Sequence, residues 1–250
     1  MNYEFFKEAR LARLARVPLR YRRQVRWLPR IGDLIPDLSV DSTQGPLRLH
    51  DWAKGRWLIL FSHPAPFTAV CTTEIAALAS LQAEFDARGA RLLGVSTGSL
   101  DEQRRWHDVV RRLFGFEVTF PMVADEDGLL ANLFGMIHEA QSPDRTIRKT
   151  FVVGPDLRLR AITEYPMSVG RSTDEALRLL DALQTAETFN LGVGADWQKG
   201  DECLVLPEAF GPPRFGAGAA ARPLASYLQT VADPWTGAGA ADDLPTRPAS

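Results

Sequence analysis

Residues 62–74 read "SHPAPFTAVCTTE". Just before them, "WLILF" (57–61) is a continuous apolar run, too short for a helix. It predicts a buried central strand. Pro64 and Pro66 stop that strand. From Thr72 onward, "TTEIAALASLQAEFDARG" places Ile75, Leu78, Ala79, Leu81 and Phe85 at helical spacing, with Gly89 as a plausible end. Cys71, one of two cysteines in the chain, therefore stands at a strand–loop–helix junction.

Working outward, "RIGDLIPDLSVDSTQGPLRLHDW" reads as an opening loop and a hairpin, punctuated by Gly32, Pro36, Gly45 and Pro46. "RLLGVS" (91–96) predicts the next strand. Residues 99–115 predict the next helix, with Ser99 or Asp101 as its cap. A short strand over 118–125, interrupted by Pro121, and a short helix over 127–135 follow. "TFVVG" (150–154), a turn at Pro155-Asp156 and "RLRAITEY" (158–165) predict a hairpin. Ser172 and Glu175 form a capping-box pattern opening a helix over 172–187. This order predicts an α/β fold, a mixed sheet with helices on both faces. The organisation expected is a basic extension (1–30), a main domain (31–187), a Gly/Pro/Ala-rich arm with one short strand, "CLVLP" (188–232), and a disordered tail (233–250).

Composition excludes several classes. The 250 residues carry a net charge of −2, so no global field favours nucleic acid or an anionic membrane. No apolar run approaches the roughly 18–20 residues of a spanning helix. Residues 1–30 do hold nine Lys or Arg against Glu4 and Glu8, with Arg10, Arg13, Arg16 and Arg20 on one helical stripe. That reads first as a solvated extension, and otherwise as a surface contact or an address. Two cysteines 132 positions apart (203 − 71) are no disulfide framework, and no C-x-x-C is present. Such sparse use fits a reducing compartment, and a cytoplasmic location is expected.

A thiol in the first turn of a helix lies near unpaired N–H groups and the positive dipole end. Both favour the thiolate, the nucleophilic form. Thr68, three residues earlier, falls on the same side, where its hydroxyl could accept from a substrate and donate to the sulfur. Arg148, just before a predicted strand, could supply a guanidinium at the sheet's end. Cys71 is otherwise a small buried side chain, since free cysteines are often buried.

The stretch resembles the active-site loop of the peroxiredoxins, P-x-x-x-T-x-x-C, matched by Pro64, Thr68 and Cys71. His63 and Thr72-Thr73-Glu74 are similar to the one-cysteine (peroxiredoxin 6-like) subfamily. So are "FPMVADEDGLLANLFGM", "RKTFVVGPDLRLRAITEYPMSVGRSTDEALRLL" and "DWQKGDECLVLP". The resemblance runs from about residue 31 to about residue 230 and puts Arg148 at the family's active-site arginine. It implies a thioredoxin-like fold that reduces hydrogen peroxide and organic hydroperoxides through a sulfenic acid on Cys71. Thr68 and Arg148 would hold the peroxide oxygens, and Pro64 would shape and shield the pocket. No metal or prosthetic cofactor is implied. It also implies a homodimer, by pairing through the edge candidate "RLRAITEY" and embrace by the C-terminal arm. The loop departs from the subfamily at Pro66, where Asp is usual, and at Ala69, where Pro is usual.

Around this core, His63 reads as a pocket base or as a residue orienting backbone, and Glu74 as a partner that aims Arg148. Cys203 reads first as a buried apolar residue and second as a resolving cysteine. If it is not resolving, an external thiol such as glutathione or thioredoxin closes the cycle. The other class of function is a peroxide-sensing or chaperone-like binding protein, which needs no threonine–arginine pair.

Overall fold

A computed structural model describes residues 29–214 and 220–237. Nearly all of the basic extension and most of the predicted disordered tail lie outside the described residues. In chain order the elements are β1 (Ser39–Ser42), β2 (Gly45–Arg48), α1 (Leu49–Ala53), β3 (Trp57–Ser62), α2 (Ala69–Ser80), α3 (Gln82–Ala87), β4 (Ala90–Ser96), α4 (Leu100–Phe114), β5 (Met122–Ala124), α5 (Leu129–Leu133), β6 (Arg148–Val153), β7 (Leu159–Tyr165), α6 (Thr173–Phe189), β8 (Cys203–Leu204), β9 (Arg222–Ala225), β10 (Leu228–Val231) and α7 (Pro234–Gly237).

Seven strands form one mixed sheet in the order β2-β1-β5-β4-β3-β6-β7. β3 runs parallel to β4, and β4 to β5, while β3–β6 and β6–β7 are antiparallel. Every residue of β3 is buried because both sheet faces are covered. Alternation sorts its side chains. Leu58 and Leu60 face a core shared with α1 and α5, and Trp57, Ile59 and Phe61 face one shared with α2, α4 and α6. Each such burial stabilises by about 1.5–3 kcal/mol.

The register of β6 on β3 pairs Phe61 with Thr150 and Leu58 with Val153. Arg148, two residues before Thr150, is thereby carried to the end of β3, beside the loop that leads to Cys71. This placement joins two sequence segments that local pattern cannot connect.

Several expectations need correction. The helix after Cys71 is two helices, broken at Leu81, whose φ of −107° and ψ of 13° leave the α region. The strand expected over 118–125 shrinks to Met122–Ala124, because Pro121 has no N–H to give a ladder. Ser99 caps α4 with a complete capping box. Ser172 caps α6 by accepting from the Glu175 N–H at 3.1 Å, but the Glu175 carboxylate turns to Arg178 instead of back to the cap. The segment after α6 holds more than one short strand: β8, β10 and β9 form a second sheet. Its core of Phe189, Leu191, Trp197, Cys203 and Val231 packs against the end of α6. Residues 233–237 are ordered, not disordered. Trp235 stands edge-on to Phe189 at 4.9 Å and donates its indole N–H to Thr185 Oγ1 at 2.9 Å.

Candidate active site

Thr68 is the N-cap of α2, with extended dihedrals (φ −106°, ψ 146°), so Cys71 is the third residue of the helix. The first intrahelical bond is from the Thr72 N–H to the Thr68 carbonyl, at 2.9 Å. The N–H groups of Ala69, Val70 and Cys71 thus precede any intrahelical acceptor, as at every helix start. The Cys71 side chain is fully buried.

Arg148 Nη1 donates to Cys71 Sγ at 3.3 Å and to Glu74 Oε2 at 2.6 Å. Its Nε and Nη2 donate to the Met167 carbonyl at 3.1 and 2.6 Å. Three of its four contacts are therefore fixed by the protein, and the fourth is the sulfur. Glu74, one helical turn beyond Cys71, accepts from this guanidinium, the contact that an aiming role would need.

Arg171 completes the arrangement and was not foreseen. Its Nε and Nη2 donate to Glu74 Oε1 and Oε2 at 2.8 and 2.9 Å, its backbone N–H donates to Oε1 at 2.8 Å, and its Nη1 donates to Thr150 Oγ1 at 3.1 Å. Burial alone would raise the Glu74 pKa. The hydrogen bonds and charge of Arg171, with the charge of Arg148, outweigh it and hold the carboxyl below its usual range. Two guanidiniums against one carboxylate leave a surplus positive charge, and Arg148 presents it to the sulfur. The one local hint of Arg171 was its place directly before the capping Ser172.

Thr68 departs from one expectation. Its hydroxyl donates to the Ala65 carbonyl at 3.0 Å, not to sulfur. With its proton committed, the oxygen can only accept from an incoming O–H. Pro64 is buried. His63 is also fully buried, 5.1 Å from the Trp106 ring. Burial first, then the charges of Arg171 and Arg148, lower its pKa to about 3, so the imidazole is neutral at ordinary pH. Its backbone carbonyl accepts from Thr146 Oγ1 at 2.8 Å and its N–H donates to the Val95 carbonyl at 3.1 Å. These are main-chain bonds and involve no atom of the imidazole. Cys203 is buried in the second sheet's core, apart from the cluster that holds Cys71. Burial, then the charge of Asp233, push its pKa up to about 11.

Pro66, one of the two residues that depart from the subfamily pattern, has a specific neighbour. A Cβ built on Gly98, in the turn between β4 and α4, would lie 2.7 Å from Pro66 Cδ and 2.8 Å from its Cγ. Gly98 thus lets the proline ring seat against the backbone and fixes the loop just before Thr68. Gly98→Ala is expected to displace Pro66, destabilise by about 1–3 kcal/mol and slow peroxide consumption. Pro66→Ala in the same chain should restore both. Thermal melts and stopped-flow oxidation of the three variants check this, and a double variant no better than Gly98→Ala alone would rule it out.

A buried thiol at a helix start, facing an arginine held by a carboxylate, on a mixed sheet covered on both faces, is the arrangement of a thiol-dependent peroxidase. The comparisons agree. Residues 31–162 match the AhpC/TSA family. A protein named 1-Cys peroxiredoxin from Dictyostelium discoideum is 37% identical over 181 residues, 72% of this chain and 75% of the relative's length. The crystal structure of a cysteine-to-serine mutant of peroxiredoxin 6 from Arenicola marina superposes with a TM-score of 0.73 at 33% identity, covering 82% of this chain and 98% of that one. A yeast mitochondrial 1-Cys peroxiredoxin, described with a thiol resolving mechanism via glutathione/thioredoxin systems, gives 0.73 at 31% identity, covering 82% of this chain and 100% of that one. The chain belongs to the AhpC/TSA family, with the thioredoxin-like fold and thiol-peroxidase activity of the peroxiredoxins.

Proposed function

We propose that Cys71 is the peroxidatic nucleophile of a one-cysteine cycle in which Thr68 and Arg148 hold the peroxide. The contact of Arg148 Nη1 with Cys71 Sγ at 3.3 Å carries the reading. The Cys71 thiolate attacks one peroxide oxygen, an S–O bond forms and the O–O bond breaks. The leaving oxygen takes a proton and departs as water or alcohol, and Cys71 is left as sulfenic acid. Thr68 Oγ1 accepts the substrate O–H, while Arg148 stabilises charge moving along the O–O axis. Pro64 closes the wall, Glu74 and Arg171 aim Arg148, and His63 orients the strand end. The surplus positive charge at the sulfur supports catalysis over mere sensing or chaperone-like binding.

In this cycle the electrons come from an external thiol, glutathione or thioredoxin, with no prosthetic group taking part. The Cys203 thiol, kept protonated by burial, is no nucleophile and does not resolve the sulfenic acid. β7 is an edge of the seven-stranded sheet, and pairing of two such edges would build a homodimer. Two free thiols suit a reducing compartment, which supports a cytoplasmic location.

Hydroperoxide consumption by wild type and Cys203→Ser, with glutathione or thioredoxin as donor, tests the cycle. Both are expected to turn over at the same rate. If Cys203→Ser is oxidised once and then stalls, the one-cysteine cycle is wrong. If wild type consumes nothing with any thiol, the assigned roles fail together.

A further inference from the structure

A cleft of about 440 Å³ opens between the peroxidatic loop and α4, lined by Phe67, Arg105, Asp108, Val109, Arg111 and Arg112. Arg105, Val109 and Arg112 share one stripe of α4, since they are spaced i, i+4, i+7. The neighbouring stripe, Gln103, Trp106 and Val110, is buried. Three guanidiniums meet one carboxylate here. The one ion pair among them joins Arg111 to Asp108 at 3.5 Å, and neither Arg105 nor Arg112 has an ion-pair partner among the described residues. The cleft therefore carries two uncompensated positive charges.

The opposite wall is Phe67, directly before Thr68. Phe67 is 53% exposed, and its backbone is left-handed (φ +56°), a conformation that costs a bulky residue energy. The α4 wall is tied to the first turn of α2, because Trp106 donates its indole N–H to Thr72 Oγ1 at 3.0 Å. Phe67 stands four residues before Cys71, and α4 is hydrogen-bonded to the helix that carries Cys71, so each wall of the cleft adjoins a segment that positions the sulfur.

We propose that this cleft binds the carboxylates of a small anionic thiol of the glutathione class and so presents the reductant to oxidised Cys71, an inference that rests on the one-cysteine reading above. A peroxide is small enough to be held by Thr68 and Arg148, but a tripeptide thiol needs recognition of its own outside the closed pocket. Glutathione carries two carboxylates and one ammonium, and guanidiniums pair with carboxylates through two parallel hydrogen bonds. The volume lies within the roughly 300–1,000 Å³ of small-molecule sites. Binding against Phe67 makes the reductant's affinity available to move the loop that covers the sulfur. The chemistry balances with two thiols. The first thiol's sulfur attacks Cys71 sulfenic acid, an S–S bond forms, the S–O bond breaks and the oxygen leaves as water. The second attacks the mixed disulfide, releases the symmetrical disulfide and returns the Cys71 thiolate, so two thiols supply the two electrons taken by the peroxide.

The test uses the full chain with Arg105→Ala and Arg112→Ala combined, and separately Arg112→Glu. The rates measured are oxidation by hydrogen peroxide, re-reduction by glutathione and re-reduction by the uncharged dithiothreitol, at low and high salt. Re-reduction by glutathione is expected to fall about tenfold, a loss of roughly 1.4 kcal/mol, and the wild-type rate with glutathione to fall with salt. Oxidation and the dithiothreitol rate should not change. An unchanged glutathione rate overturns the proposal, and so does an equal loss with dithiothreitol, which would mean damage to the fold. It is overturned too if only re-reduction by thioredoxin suffers, because the cleft would then dock a protein. A wild-type chain that dithiothreitol re-reduces and glutathione does not also refutes it. One that no thiol re-reduces sinks the peroxidase cycle itself.

Discussion

Cys71→Ser is expected to abolish hydroperoxide consumption while leaving the fold intact. The substitution keeps size and burial, and the Arg148 guanidinium can still donate to an oxygen where it donated to sulfur at 3.3 Å. A serine hydroxyl is neither anionic in this position nor able to become a sulfenic acid, so the first bond-forming step is lost rather than slowed. Thermal melting of the variant should match wild type to within a few degrees. Peroxide consumption, followed with dithiothreitol as donor, should fall to the uncatalysed rate. Substantial residual turnover would place the nucleophile elsewhere, and Cys203 would be the first residue to re-examine.

The second large effect concerns stability. Glu74→Ala removes the one carboxylate between two buried guanidiniums, which are only 2% and 13% exposed in their side chains. Breaking a buried pair by deleting one partner costs about 3–5 kcal/mol because a desolvated charge is left alone. In a domain of this size that is roughly 6–20 °C in Tm, at about 2–4 °C per kcal/mol. Activity should fall as well, because Arg148 loses its 2.6 Å anchor. The pH dependence follows from the same group. The folded Glu74 carboxyl titrates below its ordinary value of 4.5, so its contribution to stability is fully present above that value. It is lost as pH falls through the lower, folded value. Wild type should therefore lose Tm on acidification below about pH 4.5 more steeply than Glu74→Gln does. Parallel curves would mean that Glu74 is not the acid-sensitive link.

The parts of this molecule that were legible in the sequence are those whose causes are local. Apolar run length marked β3, helical spacing marked α2, capping residues marked α4 and α6, and proline and threonine spacing marked the loop around Cys71. Arg148 was legible through its resemblance to the family motif, but its position beside the sulfur follows from the β3–β6 register, which no local pattern encodes. Arg171 lies 97 residues from Glu74, in a loop whose shape depends on β7 and α6 both being in place. The break at Leu81 was hidden because the residues on either side are good helix formers. The second sheet was hidden for the opposite reason: β9 contains a proline, and the runs of Gly and Ala around it carry no alternation.

The separation of the partners along the chain has a consequence during synthesis. Arg148 stands 77 residues after Cys71, and Arg171 stands 97 after Glu74. A ribosome that has released Cys71 has still to make both cations, and the strand that positions the first of them must cross the sheet before either can act. Until then the nascent chain carries an ordinary cysteine with no charged cradle around it. The thiol that reacts with peroxide in the working enzyme is thus armed only when the fold that buries it is nearly complete.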